Sequence, residues 1–262
     1  MSKEKLNIFR FRRDLRLDDN VGFLAALKAD HKVLPIFIFD SNILSKLPED
    51  DARVTFIFET LQKMRKELQD EWNSSLAIYH GSPKEIFKGL IEEHNIEAVF
   101  TSRDYEPYAR KRDEEIEKFL NENDIAFKTF KDQVIFEKSE VVKDDGDPYV
   151  VYTPYKNKWK ETFDKGQHLE IHYTHRFLDN LIENTRLPNL SLNDLGFKKS
   201  DIEVPEYTVT PTLINNYEDT RNFPAKENGT SRLGPHLRFG TVSVRKMMKK
   251  AINEENEVFG AN

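Results

Sequence analysis

The chain has 262 residues, a length that suits one large domain or two modest ones. Charged residues make up 33% and hydrophobic residues 38%, with 19 Phe, which describes a charge-rich surface around a phenylalanine-rich core. The net charge of −6 excludes a uniformly basic nucleic-acid binder but leaves room for a local basic face, and the lack of cysteine excludes disulfides and thiolate metal sites.

Short apolar runs at 6–11 (LNIFRF), 33–39 (VLPIFIF), 76–79, 96–101 (IEAVFT) and 125–130 read as five strands. Helical patterns lie between them. Asp19 or Asn20 caps a helix that runs to residue 29. Asp50 or Asp51 caps a longer one that reaches Trp72, with Val54, Ile57, Phe58, Leu61, Met64 and Leu68 on one face. Ser82 caps 83–93, with Pro83 at the first helical position. Residues 106–121 form the next helix, charged outside, with Ile116, Phe119 and Leu120 inward. Strand and helix alternate through about residue 130, which predicts a parallel sheet of five strands with helices on both faces. From 131 to 207 the periodicity breaks up, with a turn at 144–148 and short helices only at 155–163 and 193–197. That stretch is too long for a simple loop and reads as a connector wrapped over the first domain. Helical character returns at 212–222 and 244–256. No apolar run approaches a membrane span and the N-terminus lacks a signal peptide, so the expectation is a cytoplasmic protein with no membrane partner.

Four stretches carry candidate chemistry. FRRDLRLDDN (11–20) follows the first strand, where doubly wound sheets bind ligands. Arg12, Arg13 and Arg16 alternate with Asp14, Asp18 and Asp19, and a salt-bridge network with a helix cap is the favoured reading. The lack of glycine rules out a dinucleotide fingerprint. SRDYEPYARKRD (102–113) follows the fourth strand. There Tyr105 and Tyr108 can stack on a planar ligand and Glu106 can accept a hydrogen bond from it; a charged helix start explains the same residues equally well. In YTPYKNKW (152–159), Tyr155 and Trp159 share a helical face, and aromatic core contacts are favoured over stacking on a base. GTSRLGPHLRFGTVSVR (229–245) has the makings of an anion cradle, with a tight helix-capping loop as the alternative. Gly229 allows close approach, Thr230 and Ser231 offer hydroxyls, Arg232 offers charge, and Pro235 opens a short helix after an extended Gly234. Tyr217 and Arg221 lie one turn apart just upstream. His168, His172 and His175 read as a surface cluster rather than a metal site.

Taken in order, FRRDLRLDDN, DYEPYARKRD, YTPYKNKW and GTSRLGPHLRFGTVSVR resemble the DNA photolyase and cryptochrome family over nearly the whole chain. The resemblance implies a Rossmann-like α/β antenna domain at 1–130, a connector at 131–207, and at 208–262 the first helices of an all-α FAD-binding domain. It further implies light-driven repair of cyclobutane pyrimidine dimers in DNA by reduced FAD, with DNA as the partner of a monomeric full-length protein. A cryptochrome photoreceptor and a stand-alone chromophore- or nucleotide-binding α/β module are the alternatives. By position, Tyr217 corresponds to a flavin-contacting tyrosine, Thr230, Ser231, Arg232, Leu233 and Gly234 to the flavin-phosphate run, and Arg221 to a DNA-facing arginine. An antenna chromophore, folate or deazaflavin, is implied near Tyr105, Glu106 and Tyr108. Two departures stand out. Gly234 replaces a usual serine, which removes one hydroxyl worth about 1 kcal/mol, and Tyr108 and Ala109 replace an Asn-Glu pair that holds folate in one antenna subtype. The family's long C-terminal helical region does not follow, and both tryptophans, Trp72 and Trp159, precede the phosphate run. The expectation is an N-terminal fragment that repairs nothing by itself.

Overall fold

The computed structural model describes residues 3–226 and 228–254. The chain divides into two compact units, one of Met1–Asp132, His172–Pro205 and Arg238–Thr241, the other of Gln133–Ile171, Glu206–Leu237 and Val242–Asn262.

The first unit holds β1 (Lys5–Phe11), α1 (Val21–Leu27), β2 (Val33–Asp40), α2 (Ser41–Leu44), α3 (Ala52–Trp72), β3 (Ala77–Gly81), α4 (Pro83–Glu93), β4 (Asn95–Ser102), α5 (Pro107–Asn121) and β5 (Ala126–Phe130). All four strand pairs are parallel, in the order β3-β2-β1-β4-β5. β2 is buried along its whole length, as the near-continuous apolar run VLPIFIF requires of a central parallel strand. β1 points alternate residues to opposite faces. Phe9 and Phe11 join one apolar cluster with Phe23, Leu61, Met64 and Leu68. Leu6 and Ile8 join a second with Phe87, Leu90, Ile116 and Leu120. The strand order reverses between β1 and β4, so the carboxyl ends of those two strands form the switch point of this sheet. The 172–205 segment lies along the same unit, with a parallel bridge from Leu181 to Val33 and a hydrogen bond from Ile78 N to Pro188 O of 2.9 Å.

The caps follow the local chemistry. Asn20 accepts from Phe23 N at 3.0 Å to start α1, and Asp51 accepts from Arg53 N at 2.9 Å to start α3. Ser82 precedes Pro83 at the start of α4 but makes no side-chain cap.

The second unit holds α6 (Tyr152–Thr162), α7 (Lys165–His168), α8 (Pro211–Asn215), α9 (Tyr217–Thr220) and α11 (Val244–Glu254); α10 (Gly234–Phe239) spans the unit boundary in the chain. Its core is small: Ile135, Leu169 and Ile252, with Phe136, Trp159, Phe163, Val244 and Met248 around them. Trp159 stacks on Phe163 at 4.9 Å, so the aromatics of YTPYKNKW serve this core, whereas Tyr155 meets Tyr149 at 6.3 Å.

Several elements differ from the sequence reading, including α7 and a 3-10 helix at Thr174–Asn180 where no helix is expected. The helix expected at 155–163 begins three residues earlier, at Tyr152. The one expected at 193–197 is a 3-10 turn, Asn193–Leu195, ended by Gly196 at φ +79°. The one expected at 212–222 is two short helices broken at Asn216. The last two residues of the helix expected at 244–256 lie outside the described residues. Among the described residues no helix is long and apolar enough to cross a membrane.

Candidate functional site

FRRDLRLDDN forms a buried ionic socket. The Asp14 carboxylate accepts from Arg12 N at 2.6 Å, Ser102 Oγ at 2.6 Å and Asn20 Nδ2 at 3.2 Å. Burial pushes the Asp14 carboxyl up, the Asp132 charge adds to this, and the hydrogen bonds from Arg12 N and Ser102 oppose it. Arg16 pairs with Asp132 at 2.6 Å, and Asp132 also accepts from Val21 N, so both ends of the loop are tied to the sheet edge. A strap of the same unit sits in this socket. Leu15 N donates to Phe239 O at 3.1 Å and Arg16 Nη1 to Gly240 O at 3.0 Å. A Cβ on Gly240, whose φ is +66°, would run into the backbone of Arg13 and lie 2.6 Å from Asp14 Cα. The charge alternation predicts the network; the strap is a contact between segments far apart in sequence, and no local signal announces it.

The carboxyl edge of the sheet is a second cluster. Glu106 caps α5 by position only, because its carboxylate is held by Arg238 at 2.6 Å and Arg13 at 2.8 Å. Those two hydrogen bonds, Arg238 first, keep its pKa low. Tyr108 is 41% exposed and donates to Asp40 Oδ2 at 2.8 Å, and burial followed by that hydrogen bond raises its pKa. Arg112 lies 5.7 Å from the Tyr108 ring centre and 3.6 Å from Asp40. Tyr105 is half-buried beside them. The structure thus sets the three expected residues at one helix start, with Glu106 and Tyr108 committed to different internal partners. Arg12, one of the arginines of the expected FRRDLRLDDN network, bonds both carboxylate oxygens of Asp113 at 2.7 and 2.5 Å, whereas Arg10, whose Nε and Nη1 are buried without a hydrogen-bond partner, was missed in the sequence. The signal for Arg10 was available, as a lone cation inside an apolar strand run.

The phosphate-run candidates belong to the second unit. Thr230 and Arg232 are exposed, and Ser231 and Leu233 half-buried. Arg232 adopts the left-handed region at φ +56°. Ser231 O accepts from Thr208 N at 2.9 Å, which ties the run to an upstream segment, and Leu233 O accepts from Leu237 N at 2.8 Å. Gly234 is already the first residue of α10 rather than an extended pre-proline position, and Pro235 takes the second position, where its missing N–H costs nothing. A side chain at Gly234 would meet nothing within 4 Å, so no steric demand requires glycine there. Gly229 is crowded, with Lys226 O 3.1 Å from where a Cβ would stand. Tyr217 is 58% exposed at the start of α9, and Arg221 N bonds Tyr217 O at 2.8 Å, one turn away as expected.

The three histidines do not converge in one core. His168 packs on Phe136 and Phe163, His172 N donates to Asp19, and His175 Nδ1 lies 3.3 Å from Asp18.

Residues 7–173 match the family model described as DNA photolyase. The chain belongs to the DNA photolyase family. A deoxyribodipyrimidine photo-lyase of Synechococcus sp. PCC 6301 is 30% identical over 261 residues, which is 93% of this chain and 53% of that protein. A protein of Synechococcus sp. PCC 6716, described only as an uncharacterized 31.6 kDa protein in the atpI 5' region, is 32% identical over 92% of this chain and 87% of its own length. Among solved structures, an archaeal photolyase from Sulfolobus tokodaii that holds two FAD molecules matches with a TM-score of 0.65 and 26% identity, over 96% of this chain and 55% of that one. The chain therefore spans about half the length of the curated photo-lyases it matches. The five-stranded parallel sheet is the one the sequence pattern predicts for this family member.

Proposed function

We propose that this chain supplies the α/β part and the flavin-phosphate run of a light-driven deoxyribodipyrimidine photo-lyase acting on pyrimidine dimers in DNA. Bound and reduced, FAD supplies the light-excited electron that splits the dimer. The chain's own residues bind and orient. Thr230 and Ser231 offer hydroxyl and backbone donors to the diphosphate, Arg232 offers charge, Gly234 offers its N–H at the start of α10, and Leu233 anchors that first turn. Tyr217 contributes its exposed ring to the flavin and Arg221 its exposed guanidinium to the DNA backbone.

The observation that carries this reading is Arg232. It is a non-glycine residue in the left-handed region with an exposed guanidinium beside an exposed threonine. That conformation costs roughly 1–2 kcal/mol and favours a functional reason for its retention. At the carboxyl edge of the sheet, Tyr105, Glu106 and Tyr108 frame a second-chromophore position, and the orphaned nitrogens of Arg10 fit a ligand that brings negative charge.

Titration of the protein with FAD, followed by flavin fluorescence, tests the phosphate run. Arg232→Ala is expected to weaken binding about tenfold or more, the loss of one charge-assisted contact. Unchanged affinity would remove the phosphate role. The activity is tested by illuminating a dimer-containing oligonucleotide with flavin-loaded, reduced protein. The chain alone is expected to leave the dimer intact; recovery of the monomeric bases by a form extended through the family's C-terminal helical region supports the photo-lyase, whereas flavin photochemistry with no loss of dimer in that form points to a cryptochrome-type photoreceptor.

A further inference from the structure

Arg10 occupies an unaccommodating place for a cation. It lies on β1, opposite Ile36 of β2 and Thr101 of β4, on the strand face that carries Leu6 and Ile8. The residue is 2% exposed, and its Nε and Nη1 find no partner. Burial pushes the guanidinium well below its ordinary value, with Arg112 and Arg12 adding to that and Asp113 and Asp40 opposing it. Arginine nonetheless stays protonated in proteins, so the charge remains. Both aspartates are already engaged: Asp113 by Arg12 and Arg112, Asp40 by Tyr108 and Arg112. Within this group, three guanidiniums face two carboxylates, and Arg10 is the one left over. A buried cation with two of its three nitrogens unsatisfied weakens the fold, and replacing it by an apolar side chain of similar length commonly stabilises a protein. Its position at the switch point of a parallel sheet, under the start of α5, is where such a fold takes its ligands.

We infer that Arg10 is the charge-selecting residue of the second-chromophore site, and that this site takes a planar ligand bearing an anionic group, a phosphate or carboxylate, in preference to a neutral one. The inference rests on the proposal that the carboxyl edge carries a second chromophore. Tyr108 is the cover: its partly exposed ring turns off Asp40, the ligand ring takes its place beside Arg112, and the anionic group reaches Arg10 and Arg12. The destabilisation carried by the unpaired guanidinium in the ligand-free protein is offset when the anion binds.

Flavin mononucleotide and riboflavin share a ring and differ by a phosphate, so the pair isolates the charge; folate tests the carboxylate arm. Each is titrated into the protein, its Arg10→Met variant and its Arg10→Lys variant, with fluorescence quenching and Tm as readouts. The wild type is expected to bind flavin mononucleotide or folate about tenfold more tightly than riboflavin. Arg10→Met is expected to erase that preference while raising the ligand-free Tm, and Arg10→Lys to retain part of it. Equal binding of charged and neutral ligands, or an Arg10→Met variant that keeps the preference, overturns the inference and leaves the chromophore site standing. A lower ligand-free Tm in Arg10→Met overturns it too, because the guanidinium would then serve the fold. Failure of every probe to bind the wild type removes the chromophore site itself and the inference with it.

Discussion

Gly240 sits at φ +66° with the backbone of Arg13 and Asp14 where its side chain would be. Left-handed geometry alone costs a non-glycine residue roughly 1–2 kcal/mol, and here the obstacle is main chain, which cannot rotate away. Gly240→Ala is therefore expected to cost more than about 2 kcal/mol, read as a lowered urea midpoint with an unchanged m-value. Gly234, with open space around it, is expected to accept serine without loss of stability by the same measurement. Asp14 gives a pH signature. Its folded-state pKa lies above the ordinary 3.8, chiefly because it is fully buried. The folded protein thus holds this proton more tightly than the unfolded chain does. The resulting stability is complete below the unfolded value and is lost as pH rises through the folded one. Asp14→Asn removes that dependence, so from pH 3.5 upward the Tm of the wild type should fall relative to the variant by an amount that levels off once Asp14 is ionised. Parallel Tm curves would show that Asp14 titrates alike in both states.

Helix α3 shows how an element is specified by its ends and one face. Asp51 accepts from Arg53 N, Leu61, Met64 and Leu68 are buried, and Asn73 closes the helix at φ +47°. Asp51→Ala is expected to cost about 1 kcal/mol in chemical denaturation, a cap's usual worth. The sheet and its helices were legible in the sequence because period and punctuation agree there: an apolar run for each strand, a cap or proline before each helix, and no competing signal between. Legibility fades beyond residue 132. Thr153 before Pro154 reads as a helix start, yet α6 already includes Tyr152 and Thr153, although a pre-proline residue is biased away from helical backbone. Asn216 breaks what reads as one helix, because α8 and α9 offer few buried side chains to hold it straight. The candidate site divides in the same way. The residues of 230–234 could be named from their motif, while Glu106 and Tyr108 could be named but not their partners, since Arg238 and Asp40 come from distant parts of the chain. Arg10 was passed over because a cation within the apolar run LNIFRF looks like an interruption of a strand pattern until its Nε and Nη1 are seen to be buried without a hydrogen bond.

At the scale of the whole molecule, charge sets the terms on which DNA can be met. A net charge of −6 repels a polyanion at long range, so the proposed DNA contact has to come from a few local cations rather than a general field. Each phosphate neutralised releases condensed counterions and adds close to one unit to the slope of log affinity against log salt. If Arg221, exposed at the end of α9, makes one of these contacts, its loss has a defined signature. Arg221→Ala should weaken binding to dimer-containing and undamaged DNA by a similar factor and lower the salt slope by about one. Fluorescence anisotropy of a labelled oligonucleotide across a salt series measures both quantities. A slope that stays the same while affinity falls would assign Arg221 to the fold, because losing structure changes affinity without removing a counterion, and an unchanged affinity would move the DNA contact elsewhere on the chain.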